Sequence, residues 1–393
     1  MAQAAVAPGL DRRRLALLAV AHLTNDLYGY LLPALLAVLI QTLDISLTLA
    51  GVLLAVYQVA SSFLQPYLGT IADRMETRWF SYGGLALAAL ASGGLGLVDS
   101  YPLLLLLALL AGLGSAAFHP ATAAMAGAVA GPRRGRTMGL YITAGNFGLG
   151  LGPLLAAAVT STLGLRGTPV LAIPGLLIAV LLYRFAPPVH QRRSGERSSP
   201  MGWRGLASGT ILLLLAIIVL RSCAIFGITS FLTVWFAERG FGETAGSTML
   251  SVILLSGAAG GLVGGYLSDR IGRDRIIRTS LLLGPVPALL MLHGDGLLIW
   301  PAGALTGFLL NGSFVVLTVR AQELMPRDLG MVSGLTLGLT IGVGGLSAAP
   351  MAALAQGVGL SPVLTGTALI PLVAAVLASR LPKAPARGPA PAA

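Results

Sequence analysis

His22, Asn25 and Asp26 fall within five residues of one another, inside an apolar run over about residues 15–40. A carboxylate at the centre of a membrane-crossing helix costs roughly 2.5–3.5 kcal/mol to insert, so it faces a protein interior or an aqueous cavity. His22 precedes Asp26 by four residues and so shares its helical face. An imidazole one turn from a carboxylate can exchange protons with it near neutral pH, because each alters the other's hold on a proton. Two readings follow: Asp26 and His22 as a proton-coupling pair, or His22, Asn25 and Asp26 as a hydrogen-bonded packing cluster.

Other polar groups interrupt apolar runs elsewhere. Arg221 lies 195 residues after Asp26, at the matching depth of a seventh run. Arg221, Asn25, Tyr30, His119, Asn146 and Asn311 are the candidate substrate-binding residues. His119 reads equally as a packing residue. Arg221 suits an anionic group, whereas its neighbours Ala224 and Ile228 suit a lipophilic one. Cys223, the single cysteine, is turned about 200° from Arg221 on a helix of 3.6 residues per turn and reads as packing. His22, His119, His190 and His293 show no metal-ligand spacing, and no Walker A or nucleophile motif occurs. Neither a metal, a cofactor nor an enzymatic activity is expected.

The elements that position these residues follow from composition. Of 393 residues, 55% are hydrophobic and 10% charged, too few charges to form a water-facing shell around so large a core. A bilayer takes the place of water. A membrane helix needs about 20 apolar residues, and twelve such runs occur: about 15–40, 47–72, 78–98, 102–130, 137–164, 169–186, 208–236, 244–267, 275–293, 297–324, 331–356 and 361–381. The runs are too long for barrel strands, so an all-α integral membrane protein is expected. The first run, after Arg12, Arg13 and Arg14, is too long for a signal peptide and reads as a retained span.

The net charge of +11 carries no aromatic-interleaved basic face, which argues against nucleic acid. Instead, 21 of the 25 Lys and Arg residues fall in alternate loops and the termini, which places both termini in the cytoplasm. Residues 187–207, rich in Arg, Ser, Pro and Gly, read as a cytoplasmic linker between six-span halves at 1–186 and 208–381. Residues 382–393 read as a disordered tail.

The halves repeat. GTIADRMETR begins at Gly69 and GYLSDRIGRDR at Gly265, an offset of 196 residues. PRRGRTMG at Pro132 and PRDLGMVSG at Pro326 open spans in equivalent positions. Such internal symmetry is how many transporters are built. The pattern G-x-L-x-D-R-x-G-R-x-R resembles the signature of the major facilitator superfamily. Its second copy is complete, whereas the first keeps Gly69, Asp73, Arg74 and Arg78 but has Glu76 at the second glycine.

HLTND (22–26), QVASSFLQP (58–66), FHP (118–120), GNFGLGLGPLLAA (145–157) and AQELMPRDLGMVSGL (321–335) resemble the fosmidomycin resistance branch of bacterial drug efflux proteins. The resemblance implies two pseudo-symmetric six-helix bundles, with the first, fourth and seventh spans lining a central cavity and Asp26 opposite Arg221. It implies gating by Asp73, Arg74, Arg78, Asp269, Arg270 and Arg273, with Asp73 capping the eleventh span near Gly330. Gly148, Gly152 and Pro153 resemble an antiporter motif whose small residues also suit close helix packing. Glu323 and Arg320 would join the gate or reach to the interface. Many superfamily antiporters carry an arginine in the fourth span where Ala108 stands here.

The expected function is therefore a proton-coupled antiporter of the bacterial inner membrane. It would export a small drug-like or anionic molecule as a monomer in contact with lipid. An importer or facilitator in the same fold is the alternative; a membrane receptor or enzyme is the reading from another class.

Overall fold

The computed structural model describes residues 10–72, 77–131, 134–186, 208–325 and 338–382, with Val332, Leu335 and Thr336. Among them, twelve helices are long and apolar enough to cross a membrane. They are Arg12–Leu43, Leu47–Ala72, Arg78–Leu97, Tyr101–Val129, Thr137–Leu163, Leu165–Phe185, Gly209–Glu238, Thr244–Ile271, Arg273–His293, Gly296–Leu324, Leu339–Val358 and Leu360–Ser379, referred to as spans 1 to 12. Asp73 and Arg74, the linker expected at 187–207, residues 383–393 and the start of the eleventh span near Gly330 lie outside the described residues.

The outer surface carries large apolar side chains, unlike that of a water-soluble protein. Ile173, Leu177 and Val180 of span 6 are 52, 61 and 61% exposed and follow one face of the helix. Ser81, Thr122, Ser222, Thr229, Ser251 and Thr306 are fully buried. Apolar side chains outward and hydroxyls inward is the arrangement a hydrocarbon solvent selects.

Helix ends follow local chemistry. Asp11 caps span 1 by accepting from Arg14 N at 3.1 Å. Asp44 stops the span in the left-handed region (φ 49°), and Ser46 opens span 2 by accepting from Leu49 N at 3.2 Å. Gly272 connects spans 8 and 9 at φ 96°, which accounts for the second glycine of the repeated loop motif. Spans 2 and 11 each contain a π-helical turn, at Val59–Phe63 and Leu339–Val343.

The chain forms two compact units. The first comprises Met1–Gly195, Phe226–Leu255 and Gly344–Leu364; the second comprises Glu196–Ile225, Ser256–Val343 and Thr365–Ala393. Asp26 belongs to the first and Arg221 to the second.

Within the first unit, the Tyr28 hydroxyl donates to Leu171 O and accepts from Gly175 N, both at 3.0 Å, tying span 1 to span 6. At the end where span 1 turns into span 2, Thr233 Oγ1 donates to Pro33 O (2.7 Å) and Ser247 Oγ to Ala34 O (3.1 Å). Gly51 of span 2 lies so close to span 11 that an added methyl group would meet Ala352 Cβ and stand 2.9 Å from Ala348 O. The second unit has an aliphatic core, in which Leu214, Ile217, Ile277, Leu281 and Val316 join spans 7, 9 and 10.

Tyr28→Phe removes one donor and one acceptor while preserving shape. It is expected to lower stability by about 0.5–2 kcal/mol, read as a lower unfolding temperature in detergent, whereas Leu297→Ala at an 84% exposed site should leave it unchanged.

Candidate functional site

Span 1 is not continuous. It is helical over Arg12–Leu27, tightens into a 3-10 turn at Tyr28–Tyr30 and resumes at Leu31–Leu43. Pro33 supplies the local cause, because it has no N–H to return to the Gly29 carbonyl four residues earlier. Asp26 therefore stands at the last helical turn before the break. Interrupted membrane helices are characteristic of sites that bind ions or substrate.

Three side chains converge on its carboxylate. His119 Nε2 lies 3.0 Å from Asp26 Oδ1, and His22 Nε2 lies 3.3 Å from Oδ2. Asn25 Nδ2 donates to Oδ1 at 3.2 Å and also reaches Ser115 Oγ at 3.2 Å. Asn25 Oδ1 is buried with no hydrogen-bond partner among the described residues. His22 stacks on Tyr141, with ring centroids 4.2 Å apart at 22°, and meets His119 edge-on at 5.3 Å. One ring nitrogen each of His22 and His119 and a carboxylate oxygen of Asp26 lie within 4.8 Å of one another. With each Nε2 aimed at a carboxylate oxygen, that is the spacing of a hydrogen-bonded triad.

Span 5 makes room for this cluster. A methyl group on Gly145 would stand 2.5 Å from Asp26 Oδ2 and 2.7 Å from His22 Nε2. One on Gly148 would meet Leu23 O, and one on Gly152 would meet Leu27 O. These positions, at i, i+3 and i+7, form one face, and Pro153 follows within the helix. Asn146 is exposed and Tyr30 is partly buried at the break.

The second unit holds the other candidates. Arg221 is 2% exposed. Its Nε donates to Leu310 O at 2.9 Å and its Nη2 to Asn311 Oδ1 at 2.5 Å, with the Phe314 ring 5.2 Å beneath the guanidinium. Farther along, Arg273 bridges Asp269 (3.4 Å) and Glu323 (2.7 Å), while Arg320 pairs with Asp274 (3.3 Å) and Glu323 (3.7 Å). Arg320 is 1% exposed, so it is a buried member of this network. Arg270 projects over Tyr266 at 4.5 Å. In the first unit, Arg78 donates to Tyr183 O.

The comparisons with known proteins fit this architecture. The family model described as Major Facilitator Superfamily matches residues 17–349. The chain is a member of the major facilitator superfamily. It is 31% identical over 380 residues to the fosmidomycin resistance protein of Escherichia coli (strain K12), covering 91% of this chain and 90% of that one. It is 30% identical to the uncharacterized MFS-type transporter YfnC of Bacillus subtilis (strain 168), covering 94 and 92%. Among solved structures it resembles the nucleoside transporter NupG, with a TM-score of 0.77 at 15% identity, covering 94% of this chain and 99% of that one. This major facilitator protein is thus a multi-pass membrane transporter of a small substrate, not an enzyme.

Sequence reasoning placed His22 with Asp26 but not His119, which lies 93 residues away in sequence. It also passed over Gly145, although the helical spacing of Gly145, Gly148 and Gly152 was available. Gly145→Ala should displace the Asp26–His22 pair and abolish most transport while the protein remains folded. The check is uptake into proteoliposomes alongside size-exclusion of the same preparation, with Gly366→Ala, which has open space around it, as the reference.

Proposed function

We propose that the chain is a proton-coupled antiporter that exports a small drug-like or anionic molecule across the bacterial inner membrane, with Asp26 as the obligatory proton carrier. The observation that carries this reading is the buried contact of one carboxylate with two imidazoles beside a broken helix. Groups of this kind inside a membrane are costly and mark ion pathways. The 31% identity to a fosmidomycin resistance protein supports efflux.

Arg221 with Asn311 is the proposed substrate-binding pair of the second unit, where a cation favours an anionic group. Asn25, Tyr30, His119 and Asn146 are the first unit's candidates, although His119 already engages Asp26. The distribution of Lys and Arg supports cytoplasmic termini. On that orientation the contacts of Thr233, Ser247 and Gly51 seal the outer end of the first unit. The Asp269, Arg273 and Glu323 network then lies at the cytoplasmic end, as a proposed gate together with Asp73, Arg74, Arg78 and Arg270. Gly148, Gly152 and Pro153 set the approach of spans 1 and 5.

The test is transport in proteoliposomes under an imposed pH gradient, with fosmidomycin as first probe, followed by anionic phosphonates and lipophilic cations. Asp26→Asn should fold and bind but no longer concentrate the transported compound, because an amide does not titrate. Uphill accumulation by Asp26→Asn would remove Asp26 as obligatory carrier.

A further inference from the structure

The two histidines of the cluster are held alike. His22 Nδ1 lies 2.9 Å from Tyr141 O, and His119 Nδ1 lies 2.8 Å from Ser115 O. A backbone carbonyl has no proton to give, so in each bond Nδ1 must be the donor. The Ser115 hydroxyl, 3.3 Å from His119 Nδ1, can accept from the same N–H. These contacts assign the tautomer: a neutral ring at either position has a bare Nε2. Both bare nitrogens face the same carboxylate, at 3.3 Å from Oδ2 and 3.0 Å from Oδ1. A carboxylate oxygen is also an acceptor when ionised. Neither contact is then a hydrogen bond unless a proton lies in it. Two contacts therefore ask for two protons.

We propose that His22, Asp26 and His119 form a two-proton store, one exchangeable proton in each Nε2–carboxylate contact, and that His119 is the second proton site rather than a substrate ligand. The inference rests on the reading of this cluster as the coupling site and adds its capacity: the Nε2 atoms of the rings bind the protons and the Asp26 carboxylate holds them. Counting charge, the triad carries −1 with no exchangeable proton, 0 with one and +1 with two. Among the described residues, the other titratable groups coupled to it are the phenols of Tyr57 and Tyr141, which are uncharged near neutral pH. Asn25 Nδ2 and Ser115 add dipoles only. No proton count other than that of the triad itself therefore changes its charge over the working range. The two sites share one carboxylate, so they fill in two coupled steps that belong to the cluster and not to either ring.

Ring-nitrogen NMR on the intact, purified transporter decides this, since the chain has only four histidines. The protein is labelled with ¹⁵N-histidine, signals are assigned with His22→Gln and His119→Gln, and spectra are followed from acid to alkaline pH. The expected result is that both rings keep a proton on Nδ1 throughout and gain one on Nε2 in two separate steps. Each single variant should leave one step in the remaining ring at a changed midpoint. A neutral His22 or His119 protonated on Nε2, seen in the wild type without any variant, would overturn the assigned tautomer. Independent single titrations, unmoved by loss of the other ring, would overturn the shared store. The outcome is separable from that of the proposed function. If Asp26→Asn transports uphill while two coupled steps are seen in the wild type, the carrier assignment falls and the store stands. If Asp26→Asn is inactive but only one ring titrates with the carboxylate, the store falls and the carrier stands.

Discussion

One carboxylate at membrane depth constrains much of the first unit. Inserting it costs roughly 2.5–3.5 kcal/mol, whereas a hydrogen bond between membrane helices contributes about 0.6 kcal/mol on average and about 1.7 at most. A single partner does not offset Asp26. His22, His119 and Asn25 all reach it, and of these His119 comes from another helix. Their own second contacts then matter, because a ring that swung away would leave the carboxylate short. Tyr141 O and Ser115 O hold the rings by Nδ1, and the glycine face of span 5 lets span 1 come close enough for the Tyr141 bond to form.

The second unit buries cations by different means. Arg221 is held by a main-chain carbonyl, an amide oxygen and an aromatic face. Such partners orient the guanidinium. Arg320 and Arg273 instead meet Asp274, Asp269 and Glu323, near the loop that joins spans 8 and 9. Charged pairs with exposed members are weak individually, and Asp269 is 57% exposed. The Asp269–Arg273 contact can therefore break at little cost, as a gate requires, whereas Arg221 and Arg320 are buried among their partners. The contrast matches the separate roles proposed for them.

Much of this was legible in the chain itself. Span number followed from apolar run length, and the loop motif from two matching segments at a fixed offset. Span 1 illustrates the limit. His22, Asn25 and Asp26 announced a polar cluster through local spacing, and Pro33 stood in plain view. The tightened turn at Tyr28–Tyr30 was still not anticipated, because apolar length reports only that a helix crosses. His119 was harder. Its distance from Asp26 is set by how span 4 packs on span 1, and no periodicity within either span encodes that. Arg320 was legible as a polar intrusion, but its burial depended on partners in span 9.

The position of the cluster explains why its proton content can matter beyond itself. Both imidazoles are tied to backbone carbonyls of spans 4 and 5, so neither can follow a change of charge without giving up a bond. The described contacts of the carboxylate are instead all to side chains, those of His22, His119 and Asn25. Asp26 is carried on the last turn before the break, where the ladder of span 1 is already interrupted and Pro33 leaves a carbonyl without its helical donor. A change in its attraction to the two rings is thus borne by the most deformable point of span 1. Beyond that point lie Pro33 O and Ala34 O, the acceptors for Thr233 and Ser247. In the proposed cycle, protons entering or leaving at Asp26 act on the helix segment that holds the outer contacts, and one broken helix links the coupling site to the seal.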